Sequence, residues 1–143
     1  MFQTGKSRRI RLEQGFTLIE LMVVILIIGL LATIVVQNLR SATDRAKRVK
    51  AQADIAQIKS GLDRYYLDAG SYPTTDQGLN ALVSQPSTGN VPSDWQGPYL
   101  EKIPPDPWGH SYVYQSDGTD GYTLKSLGPH GVEGDGNIDG STS

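Results

Sequence analysis

The hydrophobic positions in the first half of the chain follow two patterns in succession. From Leu21 to Val36 every residue is apolar or small except Thr33, and residues 16–19 extend this run. Its length is close to the roughly 20 residues that a helix needs to cross a bilayer core. Apolar residues then recur at intervals of three and four, the spacing of one buried helix face: Ala51, Ile55, Ile58, Leu62, Tyr65 and Ala69. We predict one long helix from residue 16 to about residue 68, apolar all round at first and amphipathic later.

Glycine and proline then mark the end of this helix. In the segment DAGSYP, Gly70 is predicted to be the residue that follows the helix, and Pro73 stands shortly beyond it. Thr74 and Thr75 are N-cap candidates for a short helix over Asp76–Val83.

The remainder of the chain has the composition of a small head with little regular structure. A loop rich in Pro, Gly and Ser covers residues 84–98. Two runs of β-forming residues, Ser111–Gln115 and Gly121–Leu127, flank the turn sequence SDGTDG and predict a β-hairpin. The last residues are rich in Gly and Asp and show no periodicity. We therefore predict an α+β fold, with a long N-terminal helix and a small C-terminal head that contains a short helix, a small antiparallel sheet and a Gly/Asp-rich loop.

Charged residues are distributed unevenly along a chain whose net charge is −2. Residues 1–15 carry a net charge of +3, residues 40–50 carry +4, and residues from 51 onward carry −8. Phosphate binding requires a positive surface, so the acidic head argues against nucleic acid as a partner.

The residue types that usually carry metal or covalent chemistry are scarce. The chain has no cysteine, which excludes disulfides and thiolate metal sites and leaves a small exported domain in need of another stabilising element. His110 and His130 are the two histidines, too few for a convincing zinc site without cysteine or a nearby acid. The sequence shows no pairing of a nucleophile with a base, and we expect no enzymatic activity.

Glu20 is the one charged residue inside the apolar run. A charge at the centre of a membrane helix costs at least ~2.5–3.5 kcal/mol, so it normally marks a paired or functional group. If the chain is cut between Gly15 and Phe16, the new α-ammonium group lies four residues before Glu20, one helical turn away, and in a bundle it can reach Glu20 of a neighbouring copy. The alternative is a plain signal-anchor in which Glu20 lies near the membrane interface.

The residues Gly15-Phe16-Thr17-Leu18-Ile19-Glu20, after a basic leader and before a long apolar run, resemble the class III signal of type IV pilins and their relatives. This resemblance implies cleavage after Gly15 by a prepilin peptidase, N-methylation of Phe16, and a role for Glu20 in assembly.

Three further segments extend the resemblance to the major pseudopilins of type II secretion systems: YYLDAGSYPTTDQGLNALVSQP, GPYLEKIPPDPWGHSYVY and YTLKSLG. The resemblance runs from Gly15 to about Asp139. It implies a homo-oligomeric helical filament, the periplasmic pseudopilus, which supports the export of folded proteins across the outer membrane. Its implied partners are the prepilin peptidase, minor pseudopilins and an inner-membrane assembly platform. The family usually has proline where Gln37 stands, so a local loosening of the helix there is in doubt.

The resemblance also implies a topology: a single-pass precursor in the inner membrane, with a cytoplasmic N-terminus and a periplasmic head. The bases of residues 40–50 would then lie on the exported side, against the positive-inside rule. The leader motif decides the orientation. We interpret the basic run either as a solvated helix face or as a surface that meets the acidic head of a neighbouring subunit.

The Gly/Asp-rich end of the chain contains Asp135, Asn137 and Asp139 at alternate positions, followed by Gly140. Alternate oxygen-bearing side chains also open an EF-hand loop, but the closing Glu and the flanking helices are missing here. The alternative is a disordered acidic tail.

The family resemblance favours a calcium-binding loop over residues 126–140. It implies that Leu127 and Val132 offer carbonyl oxygens and that Asp135, Asn137 or Asp139 complete the site. His130 stands where the family has its first aspartate, and imidazole is a poor ligand for a hard cation, so the site is predicted to be weaker, displaced or lost. Calcium would supply the stabilising element that cysteine does not.

We thus predict a leader over residues 1–15, a transmembrane or filament-core helix over 16–37, its amphipathic continuation over 38–69, and the head over 70–143. Two other functions remain open: a type IV pilin of an adhesive or DNA-uptake filament, and a monomeric membrane-anchored calcium-binding domain.

Overall fold

The computed structural model of the chain describes residues 1, 15–119 and 121–142, without the side chains of residues 37 and 38. Most of the basic leader therefore lies outside the described residues. The chain divides into two compact units, Met1–Arg40 and Ser41–Ser143. Helix α1 runs from Leu18 to Ala69, 52 residues, and contributes to both units.

The part of α1 in the first unit is apolar and exposed. The helix contains an 18-residue window that is long and apolar enough to cross a membrane, with no residue of the window buried. Thr33 lies within the apolar run, and its hydroxyl donates to the Gly29 carbonyl at 3.0 Å, which satisfies the polar group inside the helix. The backbone is helical through residue 37, the position at which the sequence left a local loosening of the helix in doubt.

The amphipathic part of α1 supplies one side of the core of the second unit. Its predicted buried face is confirmed: Ala51, Ile55, Ile58, Leu62 and Tyr65 are all at most 4% exposed, and Ala69 at its end is partly buried against them. These side chains pack in one cluster with Leu82 and Leu124 and with several tyrosines of the head.

Local hydrogen bonding explains where α1 ends and why the next helix is short. Gly70 has φ +73°, and its N–H donates to the Tyr66 carbonyl at 2.8 Å, as expected of the residue after a helix. Thr74 N–H then donates to Gln77 Oε1 at 2.9 Å, and Gln77 N–H donates to Thr74 Oγ1 at 3.4 Å. Gly78, with φ +61° and ψ −171°, interrupts this turn. The predicted helix over Asp76–Val83 is therefore wrong in extent, and a 3₁₀ helix over Leu79–Leu82 takes its place.

The head contains a three-stranded antiparallel sheet in the order β1-β2-β3. Strands β1 (Val113–Gln115) and β2 (Thr123–Ser126) form the predicted hairpin, with Tyr114 opposite Leu124. Strand β3 (Ile138–Asp139) pairs with β2, with Ile138 opposite Ser126, in a region predicted to lack regular structure.

Tyrosine hydroxyls connect the head to aspartates on α1. Tyr99 donates to Asp68 Oδ2 at 2.8 Å, and Tyr112 donates to Asp54 Oδ2 at 3.3 Å. Burial, followed by the negative charge of Asp54, raises the pKa of Tyr112, so this hydroxyl keeps its proton and remains a donor.

Candidate functional site

The predicted cleavage bond lies in non-helical backbone just before α1. Gly15, Phe16 and Thr17 precede the first helical residue, Leu18. Phe16 is 84% exposed, and a Cβ built on Gly15 would meet no atom of the described residues within 4 Å. In the part of the chain that the structure describes, the backbone at the Gly15–Phe16 bond is therefore non-helical and uncovered, as in segments where proteolysis concentrates.

Thr17 fixes the start of α1 and the position of Glu20. Glu20 N–H donates to Thr17 Oγ1 at 3.2 Å, and Leu21 N–H donates to the Thr17 carbonyl at 3.2 Å. Thr17 is therefore the N-cap, and Thr-x-x-Glu is the sequence of a capping box. Glu20 in the first turn also faces the positive end of the helix dipole. Sequence reasoning missed this local role, although the Thr-x-x-Glu spacing signals it; among the described residues, no ion pair involves Glu20.

The predicted calcium loop, residues 126–140, contains the connection from β2 to β3, residues 127–137, and the pairing of Ser126 with Ile138 closes the base of this connection. A 3₁₀ turn over Gly128–His130 opens the loop. Gly128 has φ +66°, and a Cβ there would lie 2.3 Å from the Gly136 carbonyl oxygen. The first and last parts of the loop thus touch through backbone, which only glycine at position 128 permits.

Two backbone carbonyl oxygens converge on the Asn137 side chain inside this loop. The Asn137 NH₂ group donates to the Val132 carbonyl oxygen at 3.2 Å and to the Gly134 carbonyl oxygen at 3.2 Å. Calcium prefers carbonyl and amide oxygens, so these groups fit a hard cation once the Asn137 amide turns its oxygen toward the two carbonyls. In the parts of the chain that the structure describes, no three His, Asp or Glu side chains come together at metal-binding distance. A cation here would therefore depend largely on carbonyl and amide oxygens.

The structure brings together two of the predicted ligands, Val132 and Asn137, and adds Gly134, which the sequence did not single out. Asp135 is exposed on the loop. Asp139 Oδ1 accepts from Ser141 N–H at 2.7 Å, and hydrogen bonds from Ser141 lower the pKa of Asp139.

The other predicted residues of the loop have distinct environments. Leu127 is half-buried and directly precedes the 3₁₀ turn, and His130 is exposed at the end of that turn. Glu133 forms an ion pair with Lys125 of β2, so its carboxylate is held against that ammonium group.

Asp106, His110 and Ser126 lie close together, but their hydrogen bonds do not follow the order of a nucleophilic triad. Ser126 Oγ donates to Asp106 Oδ2 at 2.6 Å, rather than to the histidine, and Ser126 is fully buried. His110 Nδ1 lies 3.6 Å from Asp106 Oδ2 without a hydrogen bond. The nucleophile–base hydrogen bond that covalent catalysis needs is not formed between these three residues.

Two family models match the chain. The model described as the type II secretion system protein G matches residues 38–141, and the prokaryotic N-terminal methylation motif matches residues 10–36. The first covers the amphipathic helix and the head, and the second covers the candidate cleavage bond and Glu20.

Relatives and a solved structure agree with these models. The chain is 48% identical over 126 residues to the type II secretion system core protein G of Pseudomonas aeruginosa, covering 87% of this chain and 89% of the relative. It is 44% identical over 133 residues to the protein of the same description from Vibrio cholerae, covering 90% and 91%. The crystal structure of the major pseudopilin of the enterohaemorrhagic Escherichia coli type 2 secretion system superimposes with a TM-score of 0.63 at 39% identity, covering 71% of this chain and 92% of that one.

Proposed function

This chain belongs to the type II secretion system protein G family, and on that premise we propose that its N-terminal residues make assembly of the pseudopilus depend on proteolytic processing. It is a membrane-anchored structural subunit that polymerises into the pseudopilus and serves protein secretion. The observation that carries the proposal is the order of parts at the N-terminus: an exposed Gly15–Phe16 bond, an N-cap at Thr17 and a carboxylate at Glu20 in the first helical turn.

In this proposal, cleavage after Gly15 creates the α-ammonium group of Phe16, which is then methylated. The N-cap at Thr17 holds Glu20 one turn from that group. In the filament, the ammonium group of one subunit pairs with Glu20 of an adjacent subunit, which offsets the cost of a charge in an apolar bundle. The precursor does not have this α-ammonium group, so assembly waits for processing.

The specific partners and topology are part of the same proposal. The precursor crosses the inner membrane once, with the leader in the cytoplasm and the head in the periplasm. There it meets the prepilin peptidase, the minor pseudopilins and the inner-membrane assembly platform. N-terminal mass analysis of the mature protein should find methylated Phe16; an unprocessed N-terminus would contradict the proposal.

We predict that Glu20→Ala is processed but forms few or no filaments, because the ammonium group of the neighbouring subunit loses its partner. The measurement is the fraction of subunits in sheared, pelleted filaments. Glu13→Ala is the matched control, since it removes a carboxylate from the leader that cleavage discards, and it should assemble normally. Normal assembly of Glu20→Ala would show that filament formation does not depend on this ion pair.

We also propose that the loop over residues 127–137 binds calcium. The carbonyl oxygens of Val132 and Gly134 converge on the Asn137 side-chain amide, and Leu127 and the nearby carboxylates of Asp135 or Asp139 are the further candidates. The Asn137 amide has a donor end and an acceptor end. Without a cation its NH₂ group can donate to the two carbonyls, whereas with a cation its oxygen can join them. Calcium bound here would connect the loop to β3 and stabilise the folded head.

Removal of calcium should then lower the thermal stability of the head. At a free concentration about 100 times Kd, binding to the folded state alone adds about 2.7 kcal/mol. We expect a higher unfolding midpoint of the detergent-solubilised chain with calcium than with chelator, and little difference for Asn137→Ala. Asn90→Ala, at an exposed position remote in sequence, is the control and should respond to calcium as the unmodified chain does. Equal midpoints with and without calcium would contradict the site.

A further inference from the structure

A buried carboxylate anchors the segment that opens the loop. The Asp106 side chain is fully buried, and its Oδ1 accepts from Trp108 N–H at 3.1 Å and from His110 N–H at 2.7 Å. Its Oδ2 accepts from the Ser126 hydroxyl at 2.6 Å. Burial alone would raise the pKa of Asp106, but these hydrogen bonds and the nearby His110 together lower it, so the group is a carboxylate at neutral pH.

The hydrogen-bond chain continues from Ser126 into the loop. Gly128 N–H donates to Ser126 Oγ at 3.1 Å. A serine hydroxyl has one proton to donate and lone pairs to accept with, so its donation to Asp106 leaves the lone pairs facing the Gly128 amide. The direction of both hydrogen bonds is thereby fixed by the charge on Asp106.

Leu127 lies between Ser126 and Gly128, the two residues that this series of hydrogen bonds holds in place. Ser126 is fixed by strand pairing and by Asp106, and Gly128 is fixed by Ser126 and by its close contact with the Gly136 backbone. The peptide groups on both sides of Leu127 therefore have little rotational freedom. Hydrogen bonds to the neighbouring peptide groups can hold a backbone carbonyl in the orientation that a cation needs, as outer contacts orient other metal ligands.

We propose that Asp106 is a positioning residue for the calcium loop, acting through the Ser126 hydroxyl and the Gly128 amide on the orientation of the Leu127 carbonyl. The proposal rests on the calcium site proposed above and adds a group that does not itself touch the ion. It assigns a role to the aspartate of the DPWG segment, which otherwise serves as a turn residue.

Calcium titration of the processed, detergent-solubilised chain tests this role. Ser126→Ala removes the hydroxyl that connects Asp106 to Gly128 but leaves the Asp106 turn intact. Asp106→Asn keeps an oxygen for the Trp108 and His110 amides but presents NH₂ to Ser126. We expect Kd to rise about 10- to 100-fold in both variants, the range typical of residues that orient metal ligands. Hydrogen exchange at the Gly128 amide should become faster in Ser126→Ala.

Two controls separate positioning from general stability and from charge. Tyr114→Phe removes a different buried hydrogen bond, from the Tyr114 hydroxyl to the Pro73 carbonyl at 2.7 Å, and should lower stability without changing Kd. Asp117→Asn neutralises an exposed carboxylate that also forms a local turn, and should leave Kd unchanged.

Each outcome decides between the proposals. Weak binding by the two variants with normal binding by the two controls supports the positioning role. Binding as tight as that of the unmodified chain in Ser126→Ala and Asp106→Asn overturns it and leaves the calcium site standing. An equal loss in Tyr114→Phe also overturns it, because the effect would then follow stability. If the unmodified chain binds no calcium, both proposals fail.

Discussion

His130 is the residue that most distinguishes this loop from a conventional calcium site. It is exposed at the end of the 3₁₀ turn that opens the loop, at the position that the family resemblance assigns to an aspartate. Imidazole suits borderline transition metals, whereas calcium takes oxygen ligands. Position 130 therefore supplies no carboxylate to the proposed calcium site, where the family resemblance implies one.

His130→Asp should restore that ligand and tighten calcium binding by about tenfold or more, the effect of adding one orienting or charged ligand. Calcium titration of the processed chain measures it. His130→Asn is the matched variant, since it supplies oxygen without charge, and its gain should be smaller. Unchanged affinity in His130→Asp would place position 130 outside the ligand sphere.

Residue type can signal a candidate side-chain ligand, but it cannot signal a backbone carbonyl. The alternation of Asp135, Asn137 and Asp139 pointed to the loop, and the structure places Asn137 beside the Val132 carbonyl. The Gly134 carbonyl carries no signal in its residue type, because every residue has one. The contact of Asp106 with Ser126 joins residues 20 positions apart, so no local sequence pattern indicates it.

At the scale of elements, the start of α1 is set by a single side chain. Thr17 Oγ1 accepts the Glu20 amide and thereby defines the first turn. Loss of an N-cap costs about 0.5–2 kcal/mol, which is enough to fray the turn that carries Glu20.

We therefore predict that Thr17→Ala lowers the yield of sheared filaments without blocking cleavage, because Glu20 is held less firmly one turn from Phe16. Thr17→Ser keeps the capping oxygen and should assemble like the unmodified chain. Equal yields from the alanine and serine variants would show that the cap does not contribute to assembly.

Elements with strong periodicity, decisive end signals or a clear turn sequence between them were predicted, whereas the second helix was wrong in extent and strand β3 was missed. The buried face of α1 and the residue after it, Gly70, are confirmed, because a helix face and a helix end each have a specific stereochemical requirement. The helix over Asp76–Val83 was shortened by Gly78, whose backbone conformation lies outside the helical region. Strand β3 has two residues, too few to show alternation, and pairing with β2 alone defines it.

At the scale of the whole molecule, the family match decides among the functions that the sequence left open. The protein G model covers residues 38–141, which includes the head, and the relatives at 44–48% identity carry the same description. The chain is therefore a pseudopilus subunit rather than a pilin of an adhesive or DNA-uptake filament. Its specific partners and its topology stay predictions.

The charge distribution supports one further prediction about assembly. Among the described residues, Lys50 pairs with Asp54 at 2.7 Å, whereas the exposed Arg45 and Arg48 form no ion pair within the subunit. Residues from 51 onward carry a net charge of −8. One exposed ion pair contributes only about 0–1 kcal/mol, but a filament repeats it at every subunit.

Neutralising both arginines to glutamine should lower filament yield, because the unpaired bases would no longer attract the acidic head of a neighbouring subunit. The loss should resemble the effect of raised salt on the unmodified chain, since exposed charges are screened over about 8–10 Å at physiological ionic strength. Lys50→Gln is the internal control and should lower filament yield less, because Lys50 already pairs with Asp54 in the same subunit. A charge-swap pair, with an acid at position 45 or 48 and a base on the head, should restore assembly and identify the contact. Undiminished yield after neutralising all five bases of residues 40–50 would mean that this run is a solvated helix face.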